Sequence, residues 1–347
     1  MRKIMIILTI VTMFTVPVRG ETFEAPPVPE SGQPYFPENP ESFLDGVMEI
    51  LRDVSGVIAP SLSEAVKTCI SIICICILIS LLHSVQTDKS KITNIAASAS
   101  VAVLLLRSSG SFIELAISTI HELSQYGKLL LPVMTASVAA QGGVTSSTAL
   151  YTGTAIFDTL LSSLISTLLI PLIYVTIALS VANSIVNDES ILTLGNNTKG
   201  FMVWLLKILL YVFTGYMSIT GVISGTVDAT SLKAAKLTIS GMVPVVGGIL
   251  SDASETILVS AGFMKNAAGI YGMLAMLSVF AAPFMKIGVQ YILLKLTTSV
   301  CSGFAEKNIT SLLNGFTGCL GLLLAMTGTV CLLFMISTIC FMKGVPI

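Results

Sequence analysis

The feature that most constrains this chain is a series of long stretches without a single charged side chain. Residues 159–187 and 312–342, for example, contain no Asp, Glu, Lys or Arg. The chain is 54% hydrophobic and only 11% charged, which is the composition of an integral membrane protein. Because about 20 apolar residues cross a bilayer as a helix, the sequence predicts an all-α polytopic helical bundle with about six to eight spans.

The individual spans follow from the apolar runs and from the charges that separate them. Glu114, His121 and Glu122 mark residues 112–127 as an interfacial or packed helix rather than a span. The predicted spans cover residues 68–86, 92–106, 129–157, 159–187, 201–225, 266–285, 287–304 and 312–342.

The N-terminal 40 residues have two different compositions. Residues 1–20 combine Arg2 and Lys3 with a short apolar region and small residues near Gly20, a pattern that predicts a cleaved signal peptide; an uncleaved anchor is the alternative. Residues 21–40 are predicted to form an extended, disordered extracytoplasmic linker because six prolines oppose a helix. Those prolines are Pro26, Pro27, Pro29, Pro34, Pro37 and Pro40.

Residues 41–60 are predicted to form an amphipathic helix ahead of a multi-span domain at 61–347. The polar side of this helix is mostly acidic, so docking on protein, lying on lipid and a solvated spacer all stay open. Between Glu21 and Glu64, nine acidic residues outnumber the single basic residue, Arg52, whereas Lys89 and Lys91 follow the first span. The positive-inside rule then places the mature N-terminus outside the cytoplasm.

Four prolines indicate an internal repeat. Pro132 and Pro171 are separated by the same number of residues as Pro244 and Pro283, which pairs residues 129–226 with 241–342. Each half would contain a proline-broken segment, a span, a second proline and another span. Discontinuous helices of this kind are typical of transporters and pores.

The stretch GMVPVVGGILSDASETI at 241–257 interrupts the apolar pattern most strongly. Pro244 cannot donate a helical hydrogen bond, and Gly247 and Gly248 add backbone freedom, so a helix is expected to end here. Asp252 and Glu255 have the spacing of a capping box, which predicts a new helix near residue 252. Either the break lines a cavity at membrane depth or it is an ordinary turn outside the bilayer.

Charges within the apolar runs are the main candidates for a polar path, because an ionisable group in the bilayer is costly and usually faces the interior. Asp158 is the first candidate, and its alternative is a boundary between two helices of a hairpin. Lys286, Lys207 and Lys295 come next, with snorkelling to the interface as their alternative.

Several kinds of chemistry are excluded or disfavoured. The chain lacks G-x-x-x-x-G-K-[ST] and G-x-G-x-x-G motifs, so it has no nucleotide site of these kinds. His83 and His121 form no H-E-x-x-H motif, and the seven cysteines all lie in apolar runs. A formal net charge of −1 gives no support for nucleic-acid binding. We expect no enzymatic activity, no metal and no cofactor.

The segment SGTVDATSLKAAKLTISGMVPVVGGILSDASETILVSAGFMKNAAGIYG at 224–272 resembles the signature region of the stage III sporulation protein AE family. LLLPVMTASVAAQGG at 129–143 and LLIPLIY at 168–174 fit the same family in order, so the resemblance covers nearly the whole chain. Its most specific residues are Asp228, Lys233, Lys236, Pro244, Val245, Gly247, Asp252 and Lys265.

The resemblance implies a component of the channel that joins the mother cell and the forespore of endospore-forming bacteria. It implies a place in the mother-cell-derived outer forespore membrane, in an oligomeric complex with other stage III sporulation A proteins, including the AA ATPase, and with stage II sporulation protein Q. The family supplies no catalytic residues. Membrane lipid is the other expected partner.

Two further functions stay open from the residues alone. The repeat and Asp158 also fit a self-contained secondary transporter, which would move its substrate without partners. A purely structural scaffold of the complex would tolerate the loss of intramembrane charges.

Overall fold

The structure is a computed structural model that describes residues 25–38, 42–85, 91–242 and 247–343. For residues 57, 83–85, 91–94, 221–242 and 247–265 it describes the backbone alone. The predicted signal peptide at 1–20 and Pro244 lie outside the described residues.

Seven α-helices make up almost all of the described chain, and no strand occurs in those ranges. A single 3₁₀ turn, Gln33–Tyr35, precedes them. The helices are α1 (Phe43–Val85), α2 (Lys91–Ala140), α3 (Val144–Leu164), α4 (Ile170–Val186), α5 (Glu189–Met242), α6 (Gly247–Cys301) and α7 (Lys307–Lys343), with a π-helical turn, Ile165–Leu169, joining α3 to α4.

Six of these helical stretches are long and apolar enough to cross a membrane, which confirms the predicted all-α polytopic membrane protein. They are Ile58–Leu82, Ile95–Ala140, Val144–Val186, Glu189–Thr220, Asn266–Cys301 and Lys307–Lys343.

The helices are longer than the sequence predicts, because charged residues do not end them. Residues 92–106, 112–127 and the start of 129–157 belong to one 50-residue helix, α2, in which Glu114 and His121 lie on the exposed surface. The turn that follows is at Gln141–Gly143, inside a run predicted to be one span. Similarly, 266–285 and 287–304 are parts of the single helix α6.

The prolines interrupt the helices less than predicted. Helix α2 continues through Pro132 and α6 continues through Pro283, so the breaks expected at these two positions are absent. Pro171 has a local effect, since the π-helical turn Ile165–Leu169 directly precedes it. A proline lacks the N–H that would bond the preceding turn, and a π-turn absorbs this misfit without ending the helix.

The proline-rich segment is packed over residues 25–38, which corrects the prediction of a disordered linker. Pro26, Val28 and Gly32 are buried. A Cβ atom at Gly32 would lie 2.6 Å from Ser278 Oγ of α6, so only glycine permits this close approach. Phe36 packs against Tyr271 of α6, with ring centroids 4.8 Å apart. Apolar contacts therefore order the segment although its prolines prevent a helix.

The amphipathic helix predicted at 41–60 is the first part of α1, which continues through Pro60 into the span. Ile50 and Val54 form a buried cluster with Leu274 and Ala281 of α6, so this part of α1 docks on protein. Further along, Cys76 lies beside Cys301 at the end of α6. Helices α1 and α6 consequently run in the same direction.

Helix α7 is the centre of the bundle and contacts α2, α3, α4, α5 and α6. It carries no charge between Lys307 and Lys343. Its glycines at every third position each face a different neighbour: Gly315 faces Ser180 of α4, Gly318 faces Lys199 of α5 and Gly321 faces Tyr291 of α6. Small residues let helices approach closely where hydrophobicity cannot drive association.

A glycine in α2 offers a direct test of this packing. A Cβ atom at Gly127 would overlap the ring of Phe334 in α7, which is 1% exposed and cannot move freely. We expect Gly127→Ala to lower the free energy of unfolding by about 1–3 kcal/mol because of overpacking. Thermal unfolding of the purified protein in detergent measures this change.

Gly110→Ala in the same helix is the matched control, because a Cβ atom there meets nothing within 4 Å. Alanine favours a helix over glycine, so the control should be neutral or slightly stabilising. Equal melting temperatures for the two variants would contradict the predicted contact between α2 and α7.

Candidate functional site

Asp158 lies inside the bundle, where α3 packs against α2, and its side chain is 2% exposed. Ser124 of α2 donates a hydrogen bond to the carboxylate, with its Oγ 2.9 Å from Oδ1 and 3.0 Å from Oδ2. Ser162 lies one turn further along α3, with its Oγ 3.5 Å from Asp158 Oδ1. The buried carboxylate is thus held by hydroxyl groups from both helices.

Lys128 completes this cluster from α2. Its Nζ lies 3.7 Å from Asp158 Oδ2, and the lysine side chain is 60% exposed. A buried carboxylate is costly unless it is paired and hydrogen-bonded, and this arrangement supplies both partners. We call Ser124, Lys128, Asp158 and Ser162 the Asp158 cluster.

The helical spacing of these residues explains why they meet. Ser124 and Lys128 are one turn apart on α2, and Asp158 and Ser162 are one turn apart on α3, so each pair lies on one face. Asp158 is in the middle of the continuous stretch Val144–Val186, which corrects the alternative that it marks a hairpin boundary. Sequence reasoning found Asp158 but missed its three partners, whose only signal was this spacing.

The polar face of α3 extends one turn towards its N-terminus. Thr154 is fully buried and shares a hydrogen bond of 2.5 Å with Ser337 of α7. Thr154, Asp158 and Ser162 therefore form a polar stripe on one face of an otherwise apolar helix. This stripe fixes the register of α3 against both α2 and α7.

A second polar site surrounds Lys286, which is half-buried on α6. It is a cavity of about 500 Å³ between α1, α2 and α6, which we call the Lys286 cavity. The charged residues that line it are Glu64 and Lys67 of α1, Arg107 of α2 and Lys286 itself. Basic groups outnumber acidic ones, and the buried Gln290 adds an amide.

The Lys286 cavity has room for water, and water there would hydrate charges that are costly in lipid. Asp158 does not line it, so the structure separates the two strongest intramembrane candidates. Glu64, Lys67 and Arg107 were not sequence candidates for this site, because they lie on α1 and α2, which only the packing of the helices brings beside Lys286.

The prolines have different surroundings. Pro132 and Pro171 are exposed, whereas Pro283 is half-buried in α6, one turn before Lys286. The other lysine candidates, Lys207 and Lys295, are exposed. Lys295 Nζ lies 5.6 Å from the ring centroid of Tyr291, a cation–π distance.

The stretch around Pro244 is only partly described. Helix α5 is described as far as Met242 and α6 begins at Gly247, ahead of the predicted start near residue 252. Gly247, Gly248, Asp252 and Glu255 lie on the helical backbone of α6, and their side chains lie outside the description. The internal repeat, which pairs Pro132 with Pro244, stays a prediction.

Metal binding has no support in the ranges that the structure describes, where no three His, Cys, Asp or Glu side chains are close enough to share an ion. His121 instead lies with its Nε2 2.8 Å from Gln125 Nε2 on the surface of α2.

The Asp158 cluster generates a prediction about stability. Ser124→Ala removes a hydroxyl donor from a buried carboxylate, so the free energy of unfolding should fall by about 1–3 kcal/mol. Thermal unfolding in detergent reports the change. Ser118→Ala is the control on the same helix, because its exposed hydroxyl bonds only the carbonyl of Leu115. Equal melting temperatures for the two variants would contradict the stabilising role of the Ser124 hydrogen bond.

Comparison with known proteins gives the family. The family profile described as stage III sporulation protein AE matches residues 44–344. Stage III sporulation protein AE of Bacillus subtilis (strain 168) is 23% identical over 266 residues, which cover 76% of this chain and 66% of that protein. The chain thus spans just under two thirds of the length of this relative. No solved structure matches.

The profile match includes all six candidate membrane spans, from Ile58 to Lys343. It also includes the segments that carried the resemblance, at 129–143, 168–174 and 224–272. The chain belongs to the stage III sporulation protein AE family.

Proposed function

We propose that this protein is a non-enzymatic membrane subunit of a sporulation-specific secretion and transport channel that links the mother cell and the forespore and is required for forespore development. Membership of the stage III sporulation protein AE family supports a sporulation membrane component. The Lys286 cavity is the observation that carries the transport role, because it gathers charged side chains of α1 and α2 beside the half-buried Lys286, which lies within the candidate span Asn266–Cys301.

The chemistry of the cavity fits a polar path better than a packing defect. A dry cavity in a core is apolar, whereas this one opens to the surface, where Glu64, Lys67 and Arg107 are exposed. Hydroxyls of Ser71, Ser108 and Ser111 add to its polar lining. Charged and hydrogen-bonding groups that line a pore select what enters it. The excess of basic groups favours anionic or polar cargo.

The complex that we propose contains the other stage III sporulation A proteins, including the AA ATPase, and stage II sporulation protein Q. Because the chain has no nucleotide motif, the energy for transport would come from such a partner or from a gradient. We place the protein in the outer forespore membrane, with the mature N-terminus outside the cytoplasm.

The exposed apolar side of α1 supports contact with lipid or with other subunits. Leu44, Met48 and Leu51 are exposed, although the opposite side of the same helix docks on α6. Exposed apolar side chains rimmed by polar residues mark surfaces that bind protein or membrane. An oligomeric complex in a membrane offers α1 both protein and lipid to contact.

Lys286→Met tests the transport role in the sporulating cells that make this protein. The change keeps an unbranched side chain, one atom shorter than lysine, and removes its charge from the cavity. We expect the number of heat-resistant spores to fall by about tenfold or more at normal protein levels, because intramembrane charges are costly and mark functional paths. Spore counts and forespore-specific reporter activity are the measurements.

Lys295→Met is the matched control, since Lys295 lies on the same helix but is exposed and does not line the cavity. It should sporulate normally. Immunoblotting of membrane fractions shows that each variant inserts. Normal sporulation of a correctly inserted Lys286→Met variant would contradict the channel role and favour a purely structural scaffold.

The secondary transporter keeps one observation in its favour, the buried Asp158. Its carboxylate bonds Ser124, Ser162 and Lys128, an arrangement that suits helix packing. Reconstituted vesicles separate the two functions: a transporter moves its substrate alone, and Asp158→Asn stops it. A channel subunit is silent until its partners are added.

A further inference from the structure

We propose that this protein has a phosphate-binding site between α4, α5 and the start of α7, separate from the Lys286 cavity. The site is a cavity of about 600 Å³, which we call the Lys199 pocket. Its lining includes Lys199 of α5 and Lys307 of α7 and contains no acidic residue. The ligand is a phosphate group, either on an anionic lipid or free in solution.

Lys199 is the central feature of this pocket. It is half-buried and lies within the candidate span Glu189–Thr220. Its side-chain stem lies against Gly318 of α7, where an added Cβ atom would be 2.9 Å from Lys199 Cδ. Among the described residues, no carboxylate forms an ion pair with it. A half-buried ammonium without a negative partner is costly, and a bound anion would remove that cost.

Hydrogen-bond donors surround this charge. Asn183 is 4% exposed and donates through Nδ2 to Ser311 Oγ at 3.0 Å, which leaves the Ser311 hydroxyl free to donate into the pocket. Asn196 and Asn314 add amides to the lining. The pocket therefore combines two ammonium groups with neutral donors, the set that recognises phosphate oxygens.

The N-terminus of α7 also contributes to the electrostatic potential in the Lys199 pocket. Lys307 is its first residue, and the first hydrogen bond of the helix runs from Thr310 N to Glu306 O. The helix dipole favours an anion at this end of a 37-residue helix, although the carboxylate of Glu306, just before the helix, opposes this effect. The helix dipole therefore adds to the attraction of the two lysines for an anion.

The surroundings of the pocket indicate membrane headgroup depth. Phe201 and Trp204 follow Lys199 on α5, and their rings stack with centroids 6.0 Å apart. Both side chains are exposed. Tryptophan is enriched at the boundary between membrane and water, where lipid phosphates lie. Basic pockets between membrane helices at this depth bind anionic lipid headgroups.

The single tryptophan makes this proposal testable without a label. Full-length protein in dodecyl maltoside micelles is titrated with phosphatidylglycerol or, separately, with inorganic phosphate, while the emission of Trp204 is recorded. We expect a saturable change with at least one of the two. Diacylglycerol, which lacks phosphate, is the control for swelling of the micelle.

The two titrations separate the sources of the phosphate. Saturation by phosphatidylglycerol alone assigns a lipid headgroup, and saturation by inorganic phosphate assigns a free anion. Lys199→Met should weaken the apparent affinity about fivefold or more, the effect of one lysine near a phosphate surface. Lys207→Met, an exposed lysine on the same helix that does not line the pocket, should leave it unchanged.

Lys307→Gln provides a second test at an exposed position if Lys199→Met does not fold as a monodisperse protein. It should also weaken the apparent affinity about fivefold. The proposal is overturned if neither phosphate source gives a saturable change. It is also overturned if Lys207→Met weakens binding as much as the pocket variants do. That result would show that the phosphate is attracted by positive charge anywhere on the protein and not by the Lys199 pocket.

Discussion

Unpaired backbone groups are so costly in hydrocarbon that this constraint shapes every part of the molecule. Each N–H and C=O group at membrane depth must be bonded within its own segment. Long helices satisfy that requirement, and here they run for up to 55 residues with charged residues left on their surfaces. At Pro171, where one N–H is missing, a π-helical turn absorbs the irregularity and the helix continues.

The second constraint is that lipid gives apolar helices no reason to associate, so close packing and polar contacts must hold the bundle together. Helix α7 provides the close packing, because its glycines contact side chains from three neighbouring helices. The Asp158 cluster meets the second by tying α2 to α3. Of the remaining charges, some line the Lys286 cavity and the Lys199 pocket, and others, such as Lys207 and Lys295, lie on exposed surfaces.

The class of the protein could be predicted from its apolar runs, because only a membrane accepts so many of them. The ends of the helices could not be predicted in this way. A charged residue such as Glu114 suggests the end of a span, yet it lies on the exposed side of the continuous helix α2. The break predicted at Pro132 was also wrong, because a proline removes only one hydrogen bond and α2 continues through it. The surroundings of Asp158 and Lys286 depend on which helices become neighbours, and a single sequence does not state that.

Labelling at position 290 shows directly whether the Lys286 cavity is a water-accessible polar path. Gln290→Cys, in a cysteine-free background, is treated with a small membrane-impermeant thiol reagent in sporulating cells. Leu294→Cys is the control, one turn further along α6 and 1% exposed in the apolar core. We expect labelling at position 290 and none at position 294. An unlabelled Gln290→Cys would show that the cavity is closed to water, and equal labelling at both positions would show that labelling does not depend on the cavity. Either result would contradict the channel role.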